Sequence, residues 1–139
     1  NQRSFIQATI DKFNLNAEQK HAFTIVGNHI YQNRQDPLKM YIGKMAGTGK
    51  SQVIKAIKYY FMTCKEGHRF EVVVPTGSAA VWWFNLYHSL LGFREKEEGK
   101  VSRTSLSHVK ERLKHCSYIL LDEVSMLSCR DLYKISTRL

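Results

Sequence analysis

Residues 41–57 read YIGKMAGTGKSQVIKAI, and the Gly-Thr-Gly-Lys-Ser within them is the centre of a phosphate-binding loop. The glycines at 47 and 49 allow the backbone to curl until successive N–H groups point at one anion. The apolar pattern predicts that a helix begins at Gly49, and the N-terminal end of a helix attracts anions. The stretch therefore predicts a site for the phosphates of a nucleotide, with a ligand-free glycine-rich turn as the alternative.

The residues of this loop have separate predicted roles. Lys50 is expected to reach the β- and γ-phosphates of the nucleotide, and the Ser51 hydroxyl is expected to bind Mg²⁺. Backbone N–H groups are expected to surround the phosphates along the rest of the loop, at Ala46, Gly47, Thr48 and Gly49.

The loop departs from the full pattern Gly-x-x-x-x-Gly-Lys-Ser at its first position, where the chain has Lys44. A lysine costs about 1–2 kcal/mol if this turn needs a left-handed backbone. Its side chain also crowds the nucleotide, although its charge favours the phosphates. Gly43 does not replace the missing glycine, because using it lengthens the loop by one residue. We therefore expect a site of recognisable shape and weakened affinity.

A second motif is the apolar run SYILLDE at residues 117–123, which ends in Asp122 and Glu123. Such a run is typical of a strand covered on both faces in a parallel sheet. A carboxylate at the carboxyl end of that strand meets phosphates bound at the same edge. Two acids after a strand are often only surface residues, but the phosphate loop upstream favours catalysis. We predict that Asp122 holds Mg²⁺ and that Glu123 polarises the water that attacks the triphosphate.

Helical and strand-like patterns alternate along the chain. Helices are predicted at about 16–33, from Gly49 onward, from Ser78 to Leu90 and around 106–113. Strands are predicted at 39–43, 70–75 and 117–123. This alternation predicts an α/β domain with a parallel sheet and helices on both faces.

The composition of the chain indicates a class of binding partner and a cellular compartment. Twenty-one Lys and Arg against twelve Asp and Glu give a net charge of +9, which indicates a polyanionic partner, with a merely soluble basic surface as the alternative. Three irregularly spaced cysteines argue against a disulfide framework and suit a reducing intracellular compartment. No apolar run in the sequence approaches the length that spans a membrane.

Five segments, in this order, resemble the PIF-type DNA helicases of superfamily 1B, and in particular the helicase portion of Helitron-like transposons: NLNAEQKHAFTIV, AGTGKSQVIKAI, VPTGSAA, YHSLLGF and LLDEVSM. The resemblance implies a P-loop NTPase with a RecA-like sheet. It also implies an ATP-driven motor that moves 5′ to 3′ along single-stranded DNA and unwinds the duplex ahead. Family members serve DNA repair, recombination and telomere maintenance, which implies a nuclear protein, with the mitochondrion as the alternative.

The resemblance also implies roles for single residues. Gln19 takes the position of the glutamine that reads adenine, although a glutamine here can equally cap the helix at Asn16, and the two roles are compatible. Residues in two places are implied to contact DNA, namely Pro75, Thr76 and Gly77 in one loop, and His88 with Ser89. Trp82 is a further candidate for DNA contact, predicted from its position on the helix and not from the resemblance.

Two of these DNA contacts have structural alternatives. His88 and Ser89 are as well explained by the end of a helix. Trp82 falls on the polar side of the predicted helix, where stacking on a base is worth about 1–3 kcal/mol. The WWFNLY sequence replaces a glycine-rich turn of the family, however, so Trp82 is equally suited to filling a rearranged core.

By this resemblance, residues 1–139 are expected to form one partial RecA-like domain, the first of two (domain 1A). The adenine-motif helix is expected near its start, at about 16–33. A second RecA-like domain, with an arginine finger, is expected from further sequence downstream. The leading hypothesis is thus the N-terminal motor half of a helicase. One alternative is a non-catalytic remnant of a transposon helicase that binds nucleotide and DNA. A small-molecule kinase is disfavoured, because Asp-Glu-Val-Ser-Met and Pro-Thr-Gly are typical of motors.

Overall fold

The computed structural model describes residues 2–32, 36–43, 49–75, 85–86, 107–108, 110–111 and 113–138. The chain divides into two compact units, Asn1–Gly67 and His68–Leu139. Helices build the described part of the first unit, whereas the second contains a parallel sheet and a helix. The chain is therefore an α/β protein, as predicted.

Three helices form the first unit: α1 (Gln2–Lys12), α2 (Ala17–Tyr31) and α3 (Lys50–Thr63). The chain leaves α1 through Asn14, whose left-handed φ of 45° is tolerated by asparagine. Two hydrogen bonds close this turn, from Asn14 N–H to the Asp11 carbonyl and from Leu15 N–H to the Ile10 carbonyl, each 3.2 Å long. The short link to α2 is thereby set by local backbone chemistry.

Apolar side chains from all three helices fill the core of this unit. The helix predicted from Gly49 onward is confirmed as α3, and the large apolar residues on its inner side are buried: Val53, Ile54, Ile57, Tyr60 and Phe61. Phe23 of α2 is 1% exposed and meets the Tyr60 ring edge to face, with ring centroids 5.9 Å apart. Burial of these large rings supplies much of the stability of the unit.

The strand predicted at residues 39–43 is wrong. Residues 37–43 have no regular secondary structure, and the Tyr41 side chain is 78% exposed. The segment is held at its start by the His29 ring, whose Nε2 lies 2.8 Å from the Asp36 carbonyl oxygen. A strand requires a neighbouring backbone to pair with, and none of the described residues of the first unit forms one.

Tyr60 leads to a pH-dependent prediction. Burial raises the pKa of its phenol to about 12. Among the described residues its hydroxyl has no hydrogen-bond partner. The Cys64 thiol also raises this pKa, but it is a weak acceptor and does not meet hydrogen-bond geometry. Tyr60→Phe removes this buried hydroxyl, so its free energy of unfolding at pH 7 should lie within about 1 kcal/mol of the wild-type value or above it.

The pH sets the size of this difference. Because the folded-state pKa of Tyr60 exceeds the ordinary value of 10, the neutral phenol contributes stability below pH 10 that is lost as the pH rises towards 12. Urea unfolding at several pH values should therefore show that the free energy of unfolding of Tyr60→Phe increases relative to that of the wild type above pH 10. Tyr59→Phe is the control, because a hydrogen bond with Lys12 lowers the Tyr59 pKa. A pH-independent difference for Tyr60→Phe would contradict the prediction.

The second unit contains the strands β1 (Phe70–Val74), β2 (Asn85–Leu86) and β3 (Tyr118–Leu121), in the order β2-β1-β3. Both pairings are parallel, with Val73 opposite Asn85 on one side and Leu121 on the other. The predicted strands at 70–75 and 117–123 and the parallel sheet are confirmed. All four β3 residues are only partly buried, so the expected full cover on both faces of this strand is not found.

A last helix, α4 (Cys129–Arg138), follows the sheet. Ser128, the residue before this helix, caps its start: its Oγ accepts a 3.1 Å hydrogen bond from the Asp131 N–H and donates one of 2.6 Å to the Asp131 carboxylate. Ile135 of α4 is buried with Val73 of β1, and four partly buried apolar residues pack against them, namely Leu113, Ile119, Leu121 and Leu127. The capping pair and this cluster together explain where the helix begins and which side it buries.

The helix predicted from Ser78 to Leu90 is wrong at Asn85 and Leu86, which pair with β1 as a strand; its other residues lie outside the described part of the chain. The backbone is helical at 107–108, 110–111 and 113, within the short helix predicted there. Among the described residues, no helix has both the length and the apolar character needed to cross a membrane.

Candidate functional site

The phosphate-loop motif places Gly49 at the start of α3. Gly49 is the residue before the helix and has a left-handed backbone (φ 84°, ψ 19°), which only glycine adopts without strain. A Cβ atom here would also collide with the side-chain amide of Gln19. Lys50 and Ser51 form the first two positions of α3, and Lys50 is half-buried while Ser51 is exposed. A left-handed residue followed by a helix start makes a concave set of N–H groups suited to an anion.

Gln19 connects α2 to this helix start. Its Nε2 donates a 3.1 Å hydrogen bond to the Gly49 carbonyl, which lies thirty positions away in the sequence. Its Oε1 accepts a 3.0 Å bond from the Asn16 N–H, and the Asn16 carboxamide accepts a 2.9 Å bond from the Gln19 N–H. The predicted capping role is therefore confirmed. These bonds use one of the two side-chain N–H groups and one of the two oxygen lone pairs. Within the described residues the second N–H and the second lone pair remain available to a ligand.

A groove of about 280 Å³ lies beside Gln19. Its walls come from the N-terminal half of α2, from residues 40–43 and from the start of α3. Glu18 and His21 contribute polar groups, and Met40 and Tyr41 contribute apolar surface. Such a mixture suits a flat heterocycle with a polar edge.

Sequence reasoning missed Glu18, His21 and Tyr41 as members of this groove. His21 and Ala22 lie three and four residues after Glu18, so all three share one side of α2. That spacing was the available signal. Tyr41 gave none, because its position depends on an irregular segment; a Cβ on Gly43 would lie 2.7 Å from the Tyr41 ring, so glycine permits their close approach.

The remaining loop residues, Lys44, Ala46, Gly47 and Thr48, lie outside the described part of the chain. The effect of Lys44 on the loop therefore stays a prediction.

The acidic pair stands where β3 ends. Asp122 continues the sheet by donating its N–H to the Val73 carbonyl at 3.0 Å, and its Oδ1 accepts the Glu123 N–H at 2.9 Å. Glu123 is exposed and has a left-handed backbone (φ 54°, ψ 37°) immediately before a 3₁₀ turn at Val124–Met126. A left-handed residue other than glycine costs about 1–3 kcal/mol, and such strain is concentrated at functional positions.

The DNA-contact residues are described only in part. Pro75 directly follows β1 and is half-buried, and because β1 and β3 are parallel it lies at the same end of the sheet as Asp122. The other five predicted contacts lie outside the described residues, namely Thr76, Gly77, Trp82, His88 and Ser89.

The donor types present suit the predicted Mg²⁺. Mg²⁺ prefers oxygen ligands, commonly one or two protein groups together with phosphate oxygens and water. Ser51 offers an exposed hydroxyl at the helix start, and Asp122 offers a carboxylate that one backbone N–H already orients.

Comparison with known protein families identifies the family of the chain. The profile described as PIF1-like helicase matches residues 14–137, which is nearly the whole sequence. Comparisons with curated proteins and with solved structures gave no significant match. The match includes Gln19, the phosphate-loop motif and the Asp-Glu pair. On this evidence, the chain belongs to the PIF1-like helicase family.

Proposed function

We propose that the chain is the N-terminal motor half of an ATP-dependent DNA helicase. The observation that carries the proposal is the hydrogen bond from Gln19 to Gly49. It joins the residue proposed to read adenine to the residue that precedes α3, which is called the phosphate helix because it follows the phosphate loop. A family match over residues 14–137 supports the same assignment.

In this proposal the first unit binds the nucleotide. The base lies in the groove beside Gln19, whose remaining hydrogen-bonding capacity faces its polar edge. Amides at the start of α3 and at Ala46, Gly47, Thr48 and Gly49 hold the phosphates, and the Lys50 ammonium neutralises their charge. The positive end of the α3 dipole adds to this attraction.

The acidic pair supplies the chemistry of hydrolysis. Mg²⁺, when bound with ATP, neutralises the charge that develops on the phosphates. Ser51 and Asp122 are the proposed groups that hold the ion. Glu123 orients the attacking water and accepts its proton, a role open to an exposed carboxylate just after a strand of the sheet.

We further propose single-stranded DNA and duplex junctions as the partner. The net charge of +9 supports a polyanion, and Pro75 lies at the sheet end that carries Asp122. The proposed contacts are Pro75, Thr76, Gly77, Trp82, His88 and Ser89. Translocation from 5′ to 3′, a RecA-like fold for residues 1–139, a second RecA-like domain, and membership of the Helitron-like subgroup belong to the same proposal. So do roles in repair, recombination and telomere maintenance in the nucleus, or alternatively in mitochondria.

The main alternative is a non-catalytic remnant that binds nucleotide and DNA. A single-turnover ATPase measurement with single-stranded DNA distinguishes the two. A motor half releases phosphate, whereas a remnant binds ATP and leaves it intact.

Lys50→Ala tests the nucleotide site. Hydrogen bonds to charged groups contribute about 1.5–3 kcal/mol, so the dissociation constant for ATP with Mg²⁺, measured by titration calorimetry, should rise about tenfold to one hundredfold. Lys55→Ala is the matched control, because Lys55 is an exposed lysine of the same helix. Equal affinities for the two variants, with unfolding midpoints like that of the wild type, would overturn the proposed site.

A further inference from the structure

The helix α1 lies outside the part of the chain that the family profile matches, which begins at residue 14. It is nevertheless part of the core of the first unit. Ile6, Thr9 and Ile10 of α1 are each at most 7% exposed. Ile6 rests on Gly27 of α2, where a Cβ would lie 3.2 Å from the Ile6 Cδ1 atom. α1 therefore packs closely against the helix that carries Gln19.

Gln52 links the start of α3 to the end of α1. Its side-chain Nε2 donates a 3.2 Å hydrogen bond to the carbonyl of Phe13, the residue that follows α1. Its backbone N–H donates a 3.0 Å bond to the Gly49 carbonyl, the atom that Gln19 also binds. The Phe13 carbonyl is one of those that a helix end leaves without an intrahelical donor. One residue thus bridges the phosphate helix and the α1 terminus.

A second contact joins the two helices further along α3. The Lys12 Nζ atom lies 4.0 Å from the centroid of the Tyr59 ring, and the Phe13 ring meets the same ring edge to face at 5.5 Å. Tyr59 lies about two turns after Gln52, so α1 is held to α3 at two separated points. Two such points fix the direction of α3 as well as its position.

We propose that α1 positions the phosphate helix, with Gln52 as the positioning residue, so that nucleotide binding and the docking of α1 stabilise each other. This inference rests on the proposed nucleotide site. The Gly49 carbonyl accepts hydrogen bonds from the Gln19 side chain of α2 and from the Gln52 backbone N–H. The Gln52 side chain in turn binds the carbonyl of Phe13 at the end of α1. Ordering this turn in advance reduces the entropy that phosphate binding must otherwise remove. Coupling between two binding equilibria is reciprocal, so bound nucleotide must also hold α1 more firmly.

The reciprocal effect gives a direct readout in hydrogen–deuterium exchange. The N–H groups of Phe13, Asn14 and Leu15 are hydrogen-bonded to carbonyls of α1 and report its docked end. We expect ATP with Mg²⁺ to slow exchange at residues 13–15 as well as at 50–53 in the wild-type chain. In Gln52→Met, which keeps the side-chain length and lacks the donor, the slowing at 13–15 should be lost. Its affinity for ATP should fall by a few-fold to about tenfold, the value of one hydrogen bond.

The matched control is Gln7→Met, because the Gln7 side chain bonds Asp11 within α1 and is exposed. It should retain wild-type exchange and affinity. Tyr59→Leu provides a second route, since it removes the other contact with α1 at a distance from the helix start, and it should also uncouple residues 13–15 from nucleotide.

The outcomes separate this inference from the function on which it rests. The positioning role would be overturned if ATP with Mg²⁺ slowed hydrogen exchange at residues 50–53 but not at 13–15, and if Gln52→Met and Gln7→Met bound ATP equally well. That result would leave the nucleotide site intact. An absence of slowing in both regions would overturn both.

Discussion

Replacing Phe23 with alanine is expected to lower the free energy of unfolding by about 3–5 kcal/mol, because the change leaves a cavity in the core of the first unit. Phe23 is 1% exposed and packs against the Tyr60 ring. A loss of this size is a large part of the total stability of a typical domain, about 5–15 kcal/mol. Urea unfolding followed by far-ultraviolet circular dichroism measures it. Because Phe23 lies one turn after Gln19, binding of ATP should weaken together with folding.

Phe5→Ala is the matched control for this prediction. The same chemical change is made on α1, but the Phe5 side chain is 40% exposed, so the expected loss is below about 1 kcal/mol. Similar losses for the two variants would show that the core of the first unit does not centre on the contact between α2 and α3.

Elements whose signals are local could be predicted from the sequence. The buried side of α3 follows from apolar residues at helical spacing, and β1 and β3 follow from short runs of β-branched and apolar residues. The capping box of α2 was also predictable, because Asn16 and Gln19 are only three residues apart. In each case the information lies within a few residues of the element itself.

Elements that depend on distant partners could not be predicted in this way. The run at 39–43 is as apolar as a strand, yet it has no strand to pair with in the described part of its unit. Asn85 and Leu86 sit in a helical pattern, yet they pair with Val73 and Val74. Pairing across the chain outweighs local propensity in such segments.

The candidate site shows the same division. Sequence motifs identify Lys50, Ser51, Asp122 and Glu123 as candidates, because chemistry demands those residue types at those spacings. The hydrogen bond from Gln19 to Gly49 and the bridge from Gln52 to Phe13 join residues thirty and thirty-nine positions apart. No spacing rule relates such pairs, so the elements that hold the phosphate helix became visible only in the fold.

Glu123→Gln is expected to slow hydrolysis of ATP about 10²- to 10⁴-fold, the contribution of a general base, while the dissociation constant for ATP changes less than about threefold. The side chain is exposed and the substitution keeps its shape. The hydrogen bond that the Glu123 backbone N–H donates to the Asp122 carboxylate survives, because it does not involve the altered group. Single-turnover phosphate release with single-stranded DNA measures the first quantity, and titration calorimetry measures the second. Glu111→Gln is the matched surface control, since Glu111 is exposed and its ion pair with Lys114 is 3.9 Å long.

A second substitution at the same position separates chemistry from structure. Glu123→Gly removes the carboxylate and also relieves the left-handed strain at φ 54°, so the free energy of unfolding should rise by up to about 1 kcal/mol while hydrolysis is lost. Stability and activity then change in opposite directions, as expected where a strained residue is kept for its function. A fall in stability would mean that the Glu123 side chain supports the fold, and wild-type hydrolysis by Glu123→Gln would exclude it as the group that acts on water.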